Sequence, residues 1–358
     1  MSAGHIRDVR PDDLPDIARL VARCGFPVRS PAGWRWVLFE NPDQGDIPPG
    51  WVYEAEGRVA GFLGNFVMRY ASGGDALAIA TGHTMVSDLD GAQRSTGLKL
   101  VRHGVAQPGV GGFVTLNNNA LSGAVLRRAG GTPWLGAPGR EWAEWVLRPD
   151  RILLSRLPTL RPGGERHERD FALQDDGRCE KRGVTLLPLD ELADEDIAGL
   201  GAQGRIARKV SLDHLRYRLA DPDRLGGAGY RAAAMEGEVL ALAGFVLTKP
   251  APERLEHLEI MDWLASDCER GRIAQRALVA HIITLARRAG IARVRLHFPR
   301  NLPAGVLSAG GPYVMRHHGH DPCHAHFAHP ALQGWQPGPG DADYFLAFRI
   351  PPRLTALQ

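Results

Sequence analysis

Two stretches of this 358-residue chain carry side chains whose types and spacing could do chemistry. The first is Thr81 to Val105, read Thr-Gly-His-Thr-Met-Val-Ser-Asp-Leu-Asp-Gly-Ala-Gln-Arg-Ser-Thr-Gly-Leu-Lys-Leu-Val-Arg-His-Gly-Val. Strand-forming residues up to Val86 give way to a polar turn at Gly91, then to Leu98, Leu100, Val101 and Val105 at near-helical spacing. Such a turn aims backbone N–H groups and the positive end of a helix dipole at an anion, and Arg94 adds a full charge. A phosphate or pyrophosphate is the natural guest. The second stretch is His317-His-Gly-His320-Asp-Pro-Cys323-His-Ala-His326-Phe-Ala-His329, which has N, S and O donors enough for zinc. Pro322 makes it loop-like and the helical His-x-x-x-His pair with an intervening Glu is missing, so a surface loop is expected and no metal.

The whole composition narrows the function classes. An apolar fraction of 44% and a charged fraction of 23% describe an ordinary globular protein, and a net charge of +3 is too small to imply a nucleic-acid binder. Cys24, Cys179, Cys268 and Cys323 are scattered without Cys-x-x-Cys spacing, which suits free thiols in a reducing compartment. No apolar h-region opens the chain and no run nears the roughly 18 apolar residues of a bilayer span. The expectation is a cytoplasmic protein with neither nucleic acid nor membrane as partner.

The elements that must position these stretches read as α/β. In the first half, Ile6–Val9 is a strand, Leu14 to Val21 a helix, Trp34 to Asn41 a second, and Trp51–Ala55 with Arg58–Tyr70 a hairpin around Glu56-Gly57. After the polar turn and its helix come a strand at Gly112–Leu116, a helix with Asn caps from Asn117 to Gly130, and a last strand at Glu141–Leu147. Strands that precede consecutive helices in this rhythm lie parallel and adjacent. The second half repeats the order, with a hairpin around Glu236-Gly237, a strand at Leu255–Ala265, a long helix at Ile273–Ala289, a strand at Ala292–Phe298 and a short helix at Asn301–Ala309. We therefore expect a duplicated architecture: residues 1–148, a Pro- and Gly-rich linker at 149–182, and 183–358.

With these residues in view the chain resembles the GNAT acyl-CoA N-acyltransferase superfamily, over nearly its whole length and as a tandem two-domain member. In that superfamily a strand ending near a Val leads into a pyrophosphate loop, Gln/Arg-x-x-Gly-x-Gly/Ala, and a helix; here Met85-Val86 precedes Arg94-Ser-Thr-Gly97-Leu-Lys99. The resemblance implies a mixed α/β sheet in each half, acyl-CoA (acetyl-CoA) as co-substrate, and a donor site made of Met85, Val86, Arg94, Ser95, Thr96, Gly97 and Leu98. Asn119 falls at the superfamily's helix-start Asn, Ser122 at its small residue, and Leu126 where an aromatic general acid often stands. Lys99 replaces the final small residue, and the loop after Val86 is longer than usual. Asp213 to Arg218, Trp335 and Gly340-Asp341 look like recurring features of tandem members without an assigned chemical role.

Acyl transfer from a thioester needs a proton acceptor for the amine and donors for the tetrahedral oxyanion. The resemblance places a strand N–H near Met85 or Val86 at the thioester carbonyl. His83, two residues before Met85 and with an ordinary pKa of about 6.5, is the first candidate base, and Glu259 and Asp262 are its counterparts in the second half. Trp34, Trp36, Trp51, Trp134, Trp142 and Trp145 would wall an acceptor pocket or fill the core. The expected activity is direct transfer from acyl-CoA, or from an acyl-carrier protein, to a small-molecule amine. Two alternatives stand beside it: a Fem-type transferase using aminoacyl-tRNA, and a non-catalytic acyl-CoA-binding scaffold.

Overall fold

The structure is a computed structural model that describes residues 4–26, 28–88, 95–155, 177–181, 183–201, 206–224, 227–249, 255–303, 305–341 and 346. Among these, the strands form two eight-stranded sheets. The first runs β1 (His5–Asp8), β2 (Gly50–Ala55), β3 (Arg58–Ser72), β4 (Asp75–Ser87), β5 (Gly112–Thr115), β16 (His324–Phe327) and β6 (Thr132–Pro133), with β10 (Ala207–Arg208) beside β3. The second runs β15 (Val314–His317), β7 (Glu141–Val146), β14 (Arg293–His297), β13 (His257–Ala265), β12 (Glu238–Thr248), β11 (Ala228–Met235), β9 (Val184–Pro188) and β8 (Cys179–Lys181). As the alternation of strands and helices predicts, β4 pairs parallel with β5, and β13 with β14.

Period-two patterning explains the layers. Along β3, Phe62, Phe66, Met68 and Tyr70 enter a core shared with the second sheet, while Leu63 and Val67 face the other way. Along β12, Leu242 and Val246 enter the shared core and Ala241, Ala243, Phe245 and Leu247 leave it. The two sheets thus face one another, and α1 (Leu14–Arg23), α2 (Pro31–Phe39) and α7 (Leu212–Leu219) bury Ile17, Leu20, Trp36 and Leu215 in the common core. The outer faces are covered by α3 (Thr96–Val105) with α4 (Ala120–Arg128) on the first sheet, and by α8 (Glu269–Arg288) on the second. Two short helices, α5 (Pro149–Leu154) and α6 (Asp194–Ile197), are also present. Trp51, Trp36 and Trp145 are core residues.

Each sheet borrows a strand from the other half of the chain. Glu141–Val146, expected as the last strand of the first half, lies in the second sheet between β15 and β14. In return β16, from the histidine-rich stretch expected to be a surface loop, joins the first sheet beside β5 with His324 opposite Thr115. The stretch 149–182, expected as a linker, contributes α5 and the edge strand β8, which pairs with β9. The short helix expected at Asn301–Ala309 is broken into two 3₁₀ turns, Pro299–Asn301 and Leu307–Gly310. All four cysteines are free. No helix among the described residues is long and apolar enough to cross a membrane.

Candidate active site

The site grows from a defect in β4. Its pairing with β5 ends at Thr81, opposite Val114, and its pairing with β3 slips between Phe62 and Gly64. The extra residue is accommodated by Thr84, which sits at φ 49°, a left-handed conformation that β-branched residues rarely adopt. From Gly82 onward β4 therefore departs from β5, and a cavity of about 480 Å³ opens in the wedge. Gly82, His83, Thr84 and Met85 line one wall, Thr115 and Asn117 to Asn119 another, with Ser122 and Leu126 of α4 behind them.

His83 is placed by this bulge. Its ring lies over Gly64, where a Cβ would come within 2.2 Å of it, so only glycine admits the imidazole there. Nδ1 contacts Thr84 Oγ1 at 3.1 Å, and Nε2 is buried without a hydrogen-bond partner among the described residues. Burial, aided by the charge of Arg29, lowers its pKa to about 3, far from the ordinary value near 6.5.

The donor elements lie close by. A Cβ on Gly97 would meet Met85 Sδ at 3.8 Å and Ser87 Oγ at 3.9 Å, so the first turn of α3 abuts the end of β4. Ser95 precedes that turn without a side-chain cap, whereas Asn119 caps α4 by accepting from Ser122 N at 2.9 Å and Cys268 caps α8 by accepting from Gly271 N at 3.2 Å. The first amides of α3 are thus the uncapped ones among these three helices, as an anion site requires. Val86 and Thr96 are buried, Met85, Gly97 and Leu98 half-buried, and Ser95 exposed. Arg94 lies outside the described residues. Lys99 turns to the Tyr53 ring, its Nζ 5.1 Å from the centroid, and does not crowd the turn. Leu126, at the superfamily's aromatic position, puts no hydroxyl into the cavity it lines.

The opposite wall comes from the second sheet. Thr248, Lys249, His257, Glu259, Arg295 and His297 line the same cavity. Glu259 is 1% exposed, and its oxygens lie 3.3 Å from His257 Nε2 and 3.4 Å from His297 Nε2. Burial disfavours charge on all three groups: it lifts Glu259 to about 8, with Glu144 adding to the rise against Arg295, and pushes His297 down to about 3 and His257 well below its ordinary value. Beyond the lining, Arg295 donates to Glu144 at 2.9 Å, and Trp142 lies against the His297 and His318 rings at a tilt. Trp34 also lines the cavity.

Asp262, the other expected second-half base, is elsewhere. It is fully buried and accepts from Arg208, from Arg218 at 2.8 Å and from Tyr230 at 3.1 Å. Burial would raise its pKa, but the two guanidiniums outweigh that and hold it below the carboxylate range, which makes it an ion-pair node and a poor proton acceptor. The same node gives the unassigned segments a role: Arg218 also donates to Gly340 O at 2.6 Å and to His214, while Asp341 accepts from Tyr70 at 2.7 Å and Trp335 packs edge-on against Tyr70. A second cavity of about 540 Å³ lies here, lined by Arg272 and Gln275 of α8, by Asn301 and by Gly338 to Asp341; Asn301 caps no helix among the described residues and donates to Pro337 O at 2.5 Å. The Arg270-Gly-Arg segment is the first turn of α8, with Arg270 bound to Glu238 and Met235 O.

The histidine cluster is divided between the sheets. His317 ends β15, while His324 is buried in β16, its Nε2 3.1 Å from Arg127 and its Nδ1 3.4 Å from Asn118. His320 contacts Asn118 O at 2.8 Å and Asn118 N donates to Pro322 O, so this stretch braces the cavity wall. Among the described residues no three His, Cys, Asp or Glu side chains are grouped to hold a metal ion.

No protein-family profile matches the sequence, and no curated protein does. Solved structures do. A protein of Enterococcus faecalis V583 described as a probable N-acyltransferase aligns with a TM-score of 0.54 at 9% identity, over 92% of this chain and 74% of that one. A GCN5-related N-acetyltransferase of Anabaena variabilis gives 0.53 at 11% identity, over 91% and 73%. The N-myristoyltransferase of Saccharomyces cerevisiae with bound myristoyl-CoA gives 0.50 at 10% identity, over 82% and 72%. The chain has the GNAT-like α/β fold, in a tandem arrangement that fits its two sheets.

Proposed function

We propose that this chain transfers an acyl group directly from acyl-CoA to the amine of a small molecule, in the cavity between its two sheets. The observation that carries the reading is the wedge opened by the Thr84 bulge, where Met85, which abuts the uncapped first turn of α3, lines one wall and the buried Glu259 lines the other. In this reading the pyrophosphate rests on the amides at Ser95 to Leu98, Arg94 is the sequence's candidate for its counter-charge, and the thioester lies along Met85 and Val86 toward Asn119. The amine nitrogen attacks the thioester carbon, its proton passes to Glu259, the C–S bond breaks, and the thiolate leaves. His83, held neutral, offers an imidazole to orient the reacting groups and is a weak base. The neighbouring N-acyltransferases, one of them with bound myristoyl-CoA, support acyl-CoA as the donor.

The test is thiol release from acetyl-CoA and longer acyl-CoAs against a panel of amines, with product mass confirming an amide. Amine-dependent release is expected. Tight CoA binding with no turnover for any acyl chain or amine would reduce the protein to an acyl-CoA-binding scaffold.

A further inference from the structure

Lys249 is an unusual lining residue. It follows β12 directly, is 7% exposed, and makes no hydrogen bond or ion pair with any described residue. The other lining cations are satisfied: Arg29 donates to both oxygens of Asp221 at 3.1 Å and to Leu346 O at 2.8 Å, and Arg295 donates to Glu144. Glu144 already faces three guanidiniums, with Arg293 at 3.7 Å and Arg316 at 3.4 Å besides Arg295, and Glu259, the other carboxylate of that wall, lies against His257 and His297 without pairing with Lys249. A cation at a cavity wall without a counter-charge is a ready partner for a substrate that brings an anion.

We infer that the acceptor is an amine that also carries an anionic group, a carboxylate or a phosphate, and that Lys249 binds this group while the amine faces Glu259. Lys249 lies just beyond the last pair of the ladder, Thr248 with His257, and lines the same cavity as Glu259, two residues further along β13. The inference rests on the acyl-transfer reading and names its acceptor class. A charge-assisted contact of this kind is worth about 10- to 100-fold in binding.

The experiment compares amines of matched basicity bearing a carboxylate, a phosphate or a neutral carboxamide, with full-length wild type, Lys249→Met and Lys249→Arg. Wild type is expected to prefer an anionic acceptor over its carboxamide by about 10- to 100-fold in kcat/KM, carried by KM. Lys249→Met should bring that ratio near one, and Lys249→Arg should keep most of it. Which anion wins identifies the group. A ratio near one in wild type, or a loss of CoA affinity in Lys249→Met that places the lysine on the donor, would overturn the inference. Should no amine be acylated, the acyl-transfer reading fails by itself. Calorimetry on CoA-loaded protein then judges the anion site separately: an amino carboxylate or aminophosphate that binds wild type and not Lys249→Met upholds it, and no binding to either overturns it.

Discussion

Glu259 is where the protein concentrates its electrostatic cost. Its folded pKa of about 8 lies above that of a free glutamate, so the folded chain holds the proton more tightly between about pH 4.5 and 8, and stability falls as pH rises through that window. The same shift makes it a base poised slightly above neutrality. Glu259→Gln should therefore raise the melting temperature by a few degrees at pH 9 with little change below pH 4.5. It should also lower kcat by about 10²- to 10⁴-fold and erase a rise in kcat/KM that levels off near pH 8. A variant that keeps both the rate and that pH limb would remove Glu259 from the mechanism. The sequence showed His83, Glu259 and Asp262 as titratable groups near a strand end, but not their ranking. Ranking depends on Arg208 and Arg218 reaching Asp262, and on the two sheets closing together over His83 and Glu259, contacts between residues far apart in the chain.

At the scale of elements, the bulge in β4 matters most. Gly64→Ala places a methyl within 2.2 Å of the His83 ring, so the ring must leave the wedge or β4 must re-register. Overpacking of this kind costs about 1–3 kcal/mol, which a folded domain tolerates. We expect a variant with a native-like circular dichroism spectrum and a lowered melting temperature whose turnover is at least tenfold down; full turnover would show that the imidazole's position is immaterial. Strand and helix identities were legible because β3 is a largely apolar run buried on both faces and Leu100, Val101 and Gly104 of α3 are buried at helical spacing. The bulge was not, since the left-handed residue is Thr84 and not a glycine. The start of α8 at Glu269, ahead of the expected Ile273, was hidden because its cap is Cys268, a type seldom met in that role.

For the whole molecule, the exchange of β7 and β16 ties the halves together. Without β16 the first sheet would expose an edge at β5, and without β7 the second would expose one at β14. The chain should accordingly unfold in guanidinium in one transition, coincident by tryptophan fluorescence and circular dichroism; two separated transitions would mean the halves are independent. This exchange could not be read from the sequence, because Glu141–Val146 and His324–Phe327 look like strands while their partners are fixed by non-local pairing. The duplicated order of elements, by contrast, was visible in the chain itself. The account's central claim is that one acyl-CoA binds at the bulge of the first sheet. Amide hydrogen exchange with and without acetyl-CoA addresses it directly: protection is predicted at Met85, Val86 and Thr96 to Leu98, with Trp263 to Gln275 unchanged. Protection confined to Trp263 to Gln275 would contradict it.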